Sequence, residues 1–328
     1  MAEVIAPAPV PIRATPILQE KLHPWTQPQT TFEASKHLSY DAAPKVLSMA
    51  DIGLPEDTGI SSTAVSEPFP LFTEDAIRTM RDELFTNELW EDCAFSTEFA
   101  GCQLRGHCPN YAPFMHAAWT DPSTLKIVSD IAGVDLIPVY DYDIGNINIA
   151  VMDPNDALKK TADNSADEMP VTKWHVDSYP FVCVVMMSDT TNMVGGETAV
   201  KTGTGEVLKI RGPSMGSAIV LQGRYITHQA LAAMGGSERI TMITSFRARN
   251  PFVADKSNLG NIRPISEQSE LYFQWTQYRI DVLQKRLEGM RELLEEEHRL
   301  KKTTDKKRIK DFLVDQAEWL SDTNREIQ

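Results

Sequence analysis

The sequence predicts a mainly β core, a sandwich or jelly roll, with supporting helices on its N-terminal side and a C-terminal helical extension. Three observations carry this. Between residues 139 and 249, short runs rich in β-branched and apolar residues recur, punctuated by turns such as Gly195-Gly196-Glu197-Thr198 and Arg211-Gly212-Pro213. Many short strands broken by Gly and Pro argue for packed antiparallel sheets rather than a parallel sheet. Upstream, Thr73 and Asp121 open helix-like segments, and after Pro264 proline disappears while Glu, Lys, Arg and Leu take over. The expected organisation is a Pro-rich arm over 1–35, the β core with its helices over 36–265, and the extension over 266–328.

In the arm, Pro7, Pro9, Pro11, Pro16, Pro24 and Pro28 leave no periodicity, so it reads as extended chain. Trp25 and Phe32 are its two anchors. At the first helix, Thr73 is the N-cap, Glu74 and Asp75 fill the first turn, and Ile77, Met80, Leu84 and Phe85 form the apolar face. The second opens on Asp121-Pro122, carries Leu125, Val128 and Ile131 inward, and stops at Gly133. Between them, Cys102-Gln103-Leu104-Arg105-Gly106-His107-Cys108 fits no zinc spacing; His107 and His116 read as ordinary residues, and Arg105 as a residue of the pocket mouth.

Val139 to Val151 reads as the first core strand, with Asn146 and Asn148 on one face and Ile147, Ile149 and Val151 on the other. Two asparagines on one strand face are costly if buried without partners, so they either face a polar site or lie in solvent. Asp153 to Pro170 is polar and acidic, a mobile loop over the site mouth or a surface insertion. Phe181 to Met187 is a continuous apolar run and a buried strand; Val207 to Ile210 and Ser217 to Gln222 are shorter ones. In the extension, Phe273, Ile280, Leu283, Leu287, Met290 and Leu294 fall on heptad positions, Lys301 to Asp305 interrupts, and Ile309, Leu313, Gln316 and Leu320 resume. Two helices follow, with the stripe expected to be core; pairing of two chains through it is the second reading.

The chemistry centres on Lys173-Trp174-His175-Val176-Asp177-Ser178-Tyr179. In an extended segment His175 and Asp177 point the same way. His228, in Tyr225-Ile226-Thr227-His228, supplies a third ligand. Two His and one carboxylate on one face of a metal leave open positions, the arrangement of non-haem Fe(II) sites. Eleven residues beyond His228, Arg239 opens a strand on which Arg239 and Thr241 share a face and can hold a carboxylate near the metal. Lys173, Tyr179, Phe181, Ile243 and Arg247 are the further candidates for the pocket wall or a substrate group.

Over Val139 to Arg249 the chain resembles the Fe(II)/2-oxoglutarate-dependent dioxygenases, with His-x-Asp, Gly-Gly-Glu-Thr, Pro-x-x-Gly, a distal His and then an Arg in that order. It is most similar to fungal-type small-molecule oxygenases, among them enzymes of secondary metabolism. The resemblance implies a double-stranded β-helix, Fe(II) on His175, Asp177 and His228, and 2-oxoglutarate paired with Arg239 and Thr241. It further implies dioxygen as co-substrate and hydroxylation, desaturation or ring closure of a small molecule such as an amino acid; Asn146 and Asn148, where their face meets the site, are expected to hydrogen-bond the co-substrate or the substrate. Two other readings compete. One is a related iron oxidase without 2-oxoglutarate, against which Arg239 and Thr241 argue; the other is a non-catalytic assembly protein acting through its C-terminal helices.

Composition bounds the partners. The 328 residues suit one large core with extensions. A formal net charge of −14 disfavours nucleic acid and anionic membranes. No apolar run reaches about eighteen residues, and Met1 to Pro7 lacks the basic and apolar regions of a secretory signal. Cys93, Cys102, Cys108 and Cys183 lack CxxC pairing and read as reduced thiols, so a cytoplasmic location is expected.

Overall fold

The computed structural model describes residues 31–96, 102–151, 172–231, 233–234 and 238–328. Trp25 and the acidic segment 153–170 lie outside them. Fifteen strands are seen among the described residues: β1 Val46–Ser48, β2 Thr63–Ser66, β3 Phe69–Pro70, β4 Ala94–Phe95, β5 Cys102–Leu104, β6 Leu136–Pro138, β7 Asn146–Val151, β8 Phe181–Met186, β9 Val194–Gly195, β10 Thr198–Lys201, β11 Val207–Ile210, β12 Ser217–Leu221, β13 His228–Ala230, β14 Ala233–Met234 and β15 Glu238–Ala248. The larger sheet runs β1-β2-β12-β8-β15-β7-β5-β4, with β3 on β12 and β6 on β15; a smaller one runs β11-β10-β13, and β14 pairs with β9. Every described pairing is antiparallel.

A period of two sorts the large sheet into two faces. Phe181, Cys183 and Val185 of β8, Ile147 and Ile149 of β7, and Ile240, Met242 and Phe246 of β15 turn outward into the main apolar cluster. That cluster is completed by the helices α1 Ala34–His37, α2 Glu74–Leu84, α3 Asn87–Cys93, α4 Pro113–Thr120 and α5 Pro122–Ala132. The Thr73 hydroxyl accepts from the Ala76 amide, the Asp121 carboxylate from the Ser123 amide, and Gly133 closes α5 at φ 68°. Phe32 holds the end of the arm on Phe72 and Phe114 through edge-on ring contacts.

Two expectations need correction here. Val139 to Val151 is not one strand. The chain leaves β6, makes a 3-10 turn over Asp141–Asp143, and enters β7 only after Gly145, which adopts φ 68°. In the extension, α6 Gln268–Arg299 and α7 Lys306–Arg325 form as expected, but of the heptad stripe Leu283 and Gln316 pack inward while much of the rest does not form the core. Leu271, Trp275, Tyr278 and Val282 are buried, with Trp319 of α7, against Val139, Tyr142, Tyr179, Leu259 and Ile262. Phe273, Ile280 and Leu287 lie exposed. Trp275, Tyr278 and Trp319 anchor the buried stripe, since each large ring removes more apolar surface from water than Ile280 or Leu287 would.

Candidate metal centre

His175 and His228 meet across a reciprocal backbone pair, His175 N–H donating to the His228 carbonyl at 3.0 Å and His228 N–H returning the bond at 2.9 Å. Asp177 N–H donates to the Gly223 carbonyl at 2.9 Å. Residues 172–180 are otherwise not a regular strand, contrary to the simplest extended reading. Their partner turns at Gln222–Tyr225 and, beyond Ala230, whose carbonyl accepts from Thr172 N–H at 3.4 Å, offers this segment backbone acceptors at Gly223 and His228. Those two attachment points nonetheless keep His175 and Asp177 on one side.

Ligand atoms of His175, Asp177 and His228 all lie within 4.8 Å of one another. Each imidazole presents Nδ1 to the carbonyl two residues upstream, Lys173 O at 2.8 Å and Ile226 O at 2.9 Å. A carbonyl can only accept, so Nδ1 carries the proton and Nε2 keeps its lone pair. Both Nε2 atoms face Asp177 Oδ1, at 3.6 and 3.4 Å. Burial alone would raise the Asp177 carboxyl; the neighbouring His228 and His175 outweigh it and hold it well below the usual carboxylate range. Burial opposes charging His228, and the Asp177 carboxylate prevails and raises it. Asp177 Oδ2 is buried with no partner. It rests against Gly223, where a Cβ would lie 1.8 Å away. Two lone pairs and a carboxylate oxygen converging on one point, locked from behind, are the donor set of a divalent transition metal.

The triad opens on a cavity of about 390 Å³ between the two sheets. Its wall from β15 is Arg239, Thr241, Ile243 and Ser245; β8 adds Val182 and Val184, and β7 adds Asn146 and Asn148. Arg239 is buried, and its Nε and Nη2 both donate to the Gly196 carbonyl at 3.2 Å. Burial pushes its guanidinium down to about 10, against the opposing pull of Glu197. It therefore stays charged at neutral pH, and no carboxylate among the described residues lies within ion-pairing distance. Thr241 Oγ1 is buried without a partner. A buried cation beside an unsatisfied hydroxyl is what a carboxylate would relieve.

Asn146 Nδ2 donates to Asp143 Oδ1 at 2.8 Å, and Asn148 Oδ1 accepts from Gln103 Nε2 at 2.5 Å. Tyr179 also lines the cavity, its hydroxyl bonded to that of Tyr140. Three of the sequence candidates stand elsewhere. The Lys173 side chain is exposed, and only its carbonyl serves the site. Phe181 points into the helix-side core opposite Phe246, because Pro180 ends the irregular segment and β8 starts with the other parity. Arg247 shares the inner parity but lies past the cavity, its guanidinium 5.1 Å from the Tyr278 ring centroid.

Sequence reading missed Asp143, whose carboxylate takes Arg105 Nη2 at 2.7 Å inside the cavity wall. Its position depends on the turn before β7, which alternation cannot show. It missed Ile262 and Ile265 as well, which close the cavity from the chain leading into α6.

Solved structures similar to this chain include 2OG-Fe(II) oxygenases. An oxidoreductase of the 2OG-Fe(II) oxygenase family from Burkholderia pseudomallei is 15% identical over 48% of this chain and 69% of its own, with a TM-score of 0.35. AviO1 from Streptomyces viridochromogenes Tue57 is 15% identical over 57% and 90%, with a TM-score of 0.39. HygX from Streptomyces hygroscopicus, solved with nickel and 2-oxoglutarate bound, is 13% identical over 59% and 85%, with a TM-score of 0.37. No family model and no curated protein matches the chain. Likeness at this level is distant, and the functional reading rests on the site itself.

Proposed function

We propose that the chain is a non-haem Fe(II) and 2-oxoglutarate-dependent oxygenase with a double-stranded β-helix core, acting on a small molecule. The observation that carries this is the convergence of His175 Nε2, His228 Nε2 and Asp177 Oδ1, with each histidine tautomer fixed by a backbone carbonyl. His175, Asp177 and His228 would hold the metal. Bound there, Fe(II) supplies activation of dioxygen coupled to oxidative decarboxylation of 2-oxoglutarate, which provides the oxidant for the substrate.

The chain's own residues do the rest. Arg239 and Thr241 receive the distal carboxylate of 2-oxoglutarate and so fix its direction, while Asn148 and Asn146 line the route beside it. Val182, Val184, Leu221 and Ile243 keep the reacting region dry. A cavity of about 390 Å³ suits a small-molecule substrate, and an amino acid or a secondary metabolite is within its size. An iron oxidase without 2-oxoglutarate would have no use for a buried, unneutralised Arg239. A purely structural assembly protein would have no use for three ligands aimed at one point.

No described helix is long and apolar enough to cross a membrane, and four free cysteines support assignment to the cytoplasm. We assign the exposed Phe273, Ile280 and Leu287 stripe to contact with a second copy. Light scattering on Leu287→Lys is expected to show a smaller particle than the parent chain, and an unchanged mass would remove that assignment.

The deciding experiment adds Fe(II) and 2-oxoglutarate anaerobically to metal-free protein and looks for the weak visible charge-transfer band of the chelate. The band is expected in the parent chain and absent in His175→Ala, and at the same 2-oxoglutarate concentration it is much reduced in Arg239→Ala. Iron bound without any band would overturn 2-oxoglutarate use and favour the oxidase. No iron bound at all would overturn the metal centre.

A further inference from the structure

Among the described residues, the cavity wall made by Gly260, Asn261, Ile262, Pro264 and Ile265 contains no regular element beyond a 3-10 turn at Arg263–Ile265. Something must hold it. On one side it is bonded to the ligand-bearing segment: Asn258 N–H donates to Ser178 O at 3.0 Å and Asn261 Nδ2 to Val176 O at 2.6 Å. Those carbonyls flank Asp177. On the other side it is bonded to a single residue at the end of α7. Glu326 Oε2 accepts from Leu259 N–H at 2.8 Å and from Arg263 Nη2 at 3.1 Å, and the Glu326 carbonyl accepts from Arg263 Nη2 at 2.8 Å. The Arg263 and Glu326 side chains are only 17% and 18% exposed, so their pair is less screened than a surface one.

Glu326 is itself fixed by the helical hairpin. Arg279 donates from Nε to Thr323 Oγ1 at 2.8 Å and stacks on the Trp319 ring; Trp319 Nε1 donates to the Arg279 carbonyl at 3.0 Å. The hairpin also grips the approach to the wall, Arg286 Nε on Pro251 O at 2.5 Å and the Tyr278 hydroxyl on Asp255 at 2.7 Å. We infer that Glu326 is a positioning residue for the metal centre: through Leu259 and Arg263 it holds the 258–265 wall, and through that wall the segment carrying His175 and Asp177. The helical extension is thereby a working part of the site. Only the metal readout below rests on the oxygenase reading.

The test compares the full chain with Glu326→Ala, Glu326→Gln and, as an exposed control on α7, Glu318→Ala. Amide hydrogen exchange is followed in metal-free protein, and Mn(II) affinity is measured by electron paramagnetic resonance. In Glu326→Ala, exchange over 256–266 and 172–180 is expected to rise about tenfold while β15 stays protected. The Mn(II) dissociation constant is expected to rise about tenfold, the low end of what losing an outer support costs a metal site. Glu326→Gln keeps an acceptor for the Leu259 amide and is expected to restore most of both; Glu318→Ala is expected to change neither. Loosening of 256–266 with 172–180 unaffected would overturn the inference, as would Mn(II) binding unchanged by Glu326→Ala. If the parent chain fails to bind Mn(II), the oxygenase reading falls, and exchange over 172–180 alone still decides the coupling.

Discussion

Arg239 and the three metal-binding candidates make separable contributions, and substitutions should separate them. Removing the guanidinium in Arg239→Ala deletes a charged partner for a buried carboxylate, worth about 2 kcal/mol, or on the order of 30-fold in affinity. The 2-oxoglutarate dissociation constant is expected to rise by that factor in a titration of the chelate band, with Fe(II) affinity unchanged. Arg239→Lys is expected to recover little, since a point charge on a flexible stem cannot both hold Gly196 O and present a second donor. Equal loss of metal and co-substrate binding would show instead that Arg239 supports the triad. Tyr179, Asn146, Asn148, Thr241 and Ile243 stand on the same cavity wall and are the next positions to vary.

Individual elements set which side chains reach the site, and two substitutions test their geometry. Gly223 faces Asp177, and a Cβ there would sit 1.8 Å from Oδ2. Gly223→Ala leaves all three ligand residues in the sequence, yet the Asp177 carboxylate must move. Metal affinity is expected to fall at least about tenfold, comparable to loss of an outer support, with the circular dichroism of the sheet retained. Phe181 tests the parity of β8. Packed in the helix-side cluster, it is expected to cost about 3–5 kcal/mol of unfolding free energy on truncation to Ala, read in urea. Its effect on 2-oxoglutarate affinity is expected to be small, and a large effect with little loss of stability would return Phe181 to the cavity.

At the scale of the whole molecule, two buried groups on the helix side titrate in opposite senses. His107 is fully buried, and burial, helped by the nearby Arg105 charge, pushes it down to about 4 against the opposing pull of the Gly145 backbone. The unfolded chain therefore binds a proton that the folded chain refuses, and stability is lost as pH falls from 6.5 towards 4. The full effect is on the order of 3 kcal/mol. Glu83 accepts from the Phe114 and Met115 amides, and burial raises it to about 7 despite them. Its contribution runs the other way, present at low pH and lost as pH rises from about 4.5 to 7. The parent chain is expected to show a shallow stability profile across that range in urea unfolding. His107→Phe is expected to expose the falling slope of Glu83, and an unchanged profile would mean that His107 does not stay neutral.

Local signals were legible in the sequence because they act over a few residues. The caps at Thr73 and Asp121, the alternation of β7, β8 and β15, and the nearness of His175 to Asp177 all follow from backbone geometry and neighbouring side chains. The antiparallel character of the core and the grouping of His175, Asp177 and His228 could be read there too, although His228 and Arg239 stand on strands of different sheets. The rest was decided in three dimensions. Whether 273–280–287 or 271–275–278 is buried depended on which stripe met Tyr142 and Tyr179, an encounter that helical periodicity cannot specify. Asp143 reached the cavity through a turn, and Phe181 left it through a change of parity at Pro180. The link from Glu326 to Asp177 joins residues about 150 positions apart through hydrogen bonds that only the packed chain brings together. Sequence spacing fixes which residues can share a face; only the packed chain fixes what that face meets.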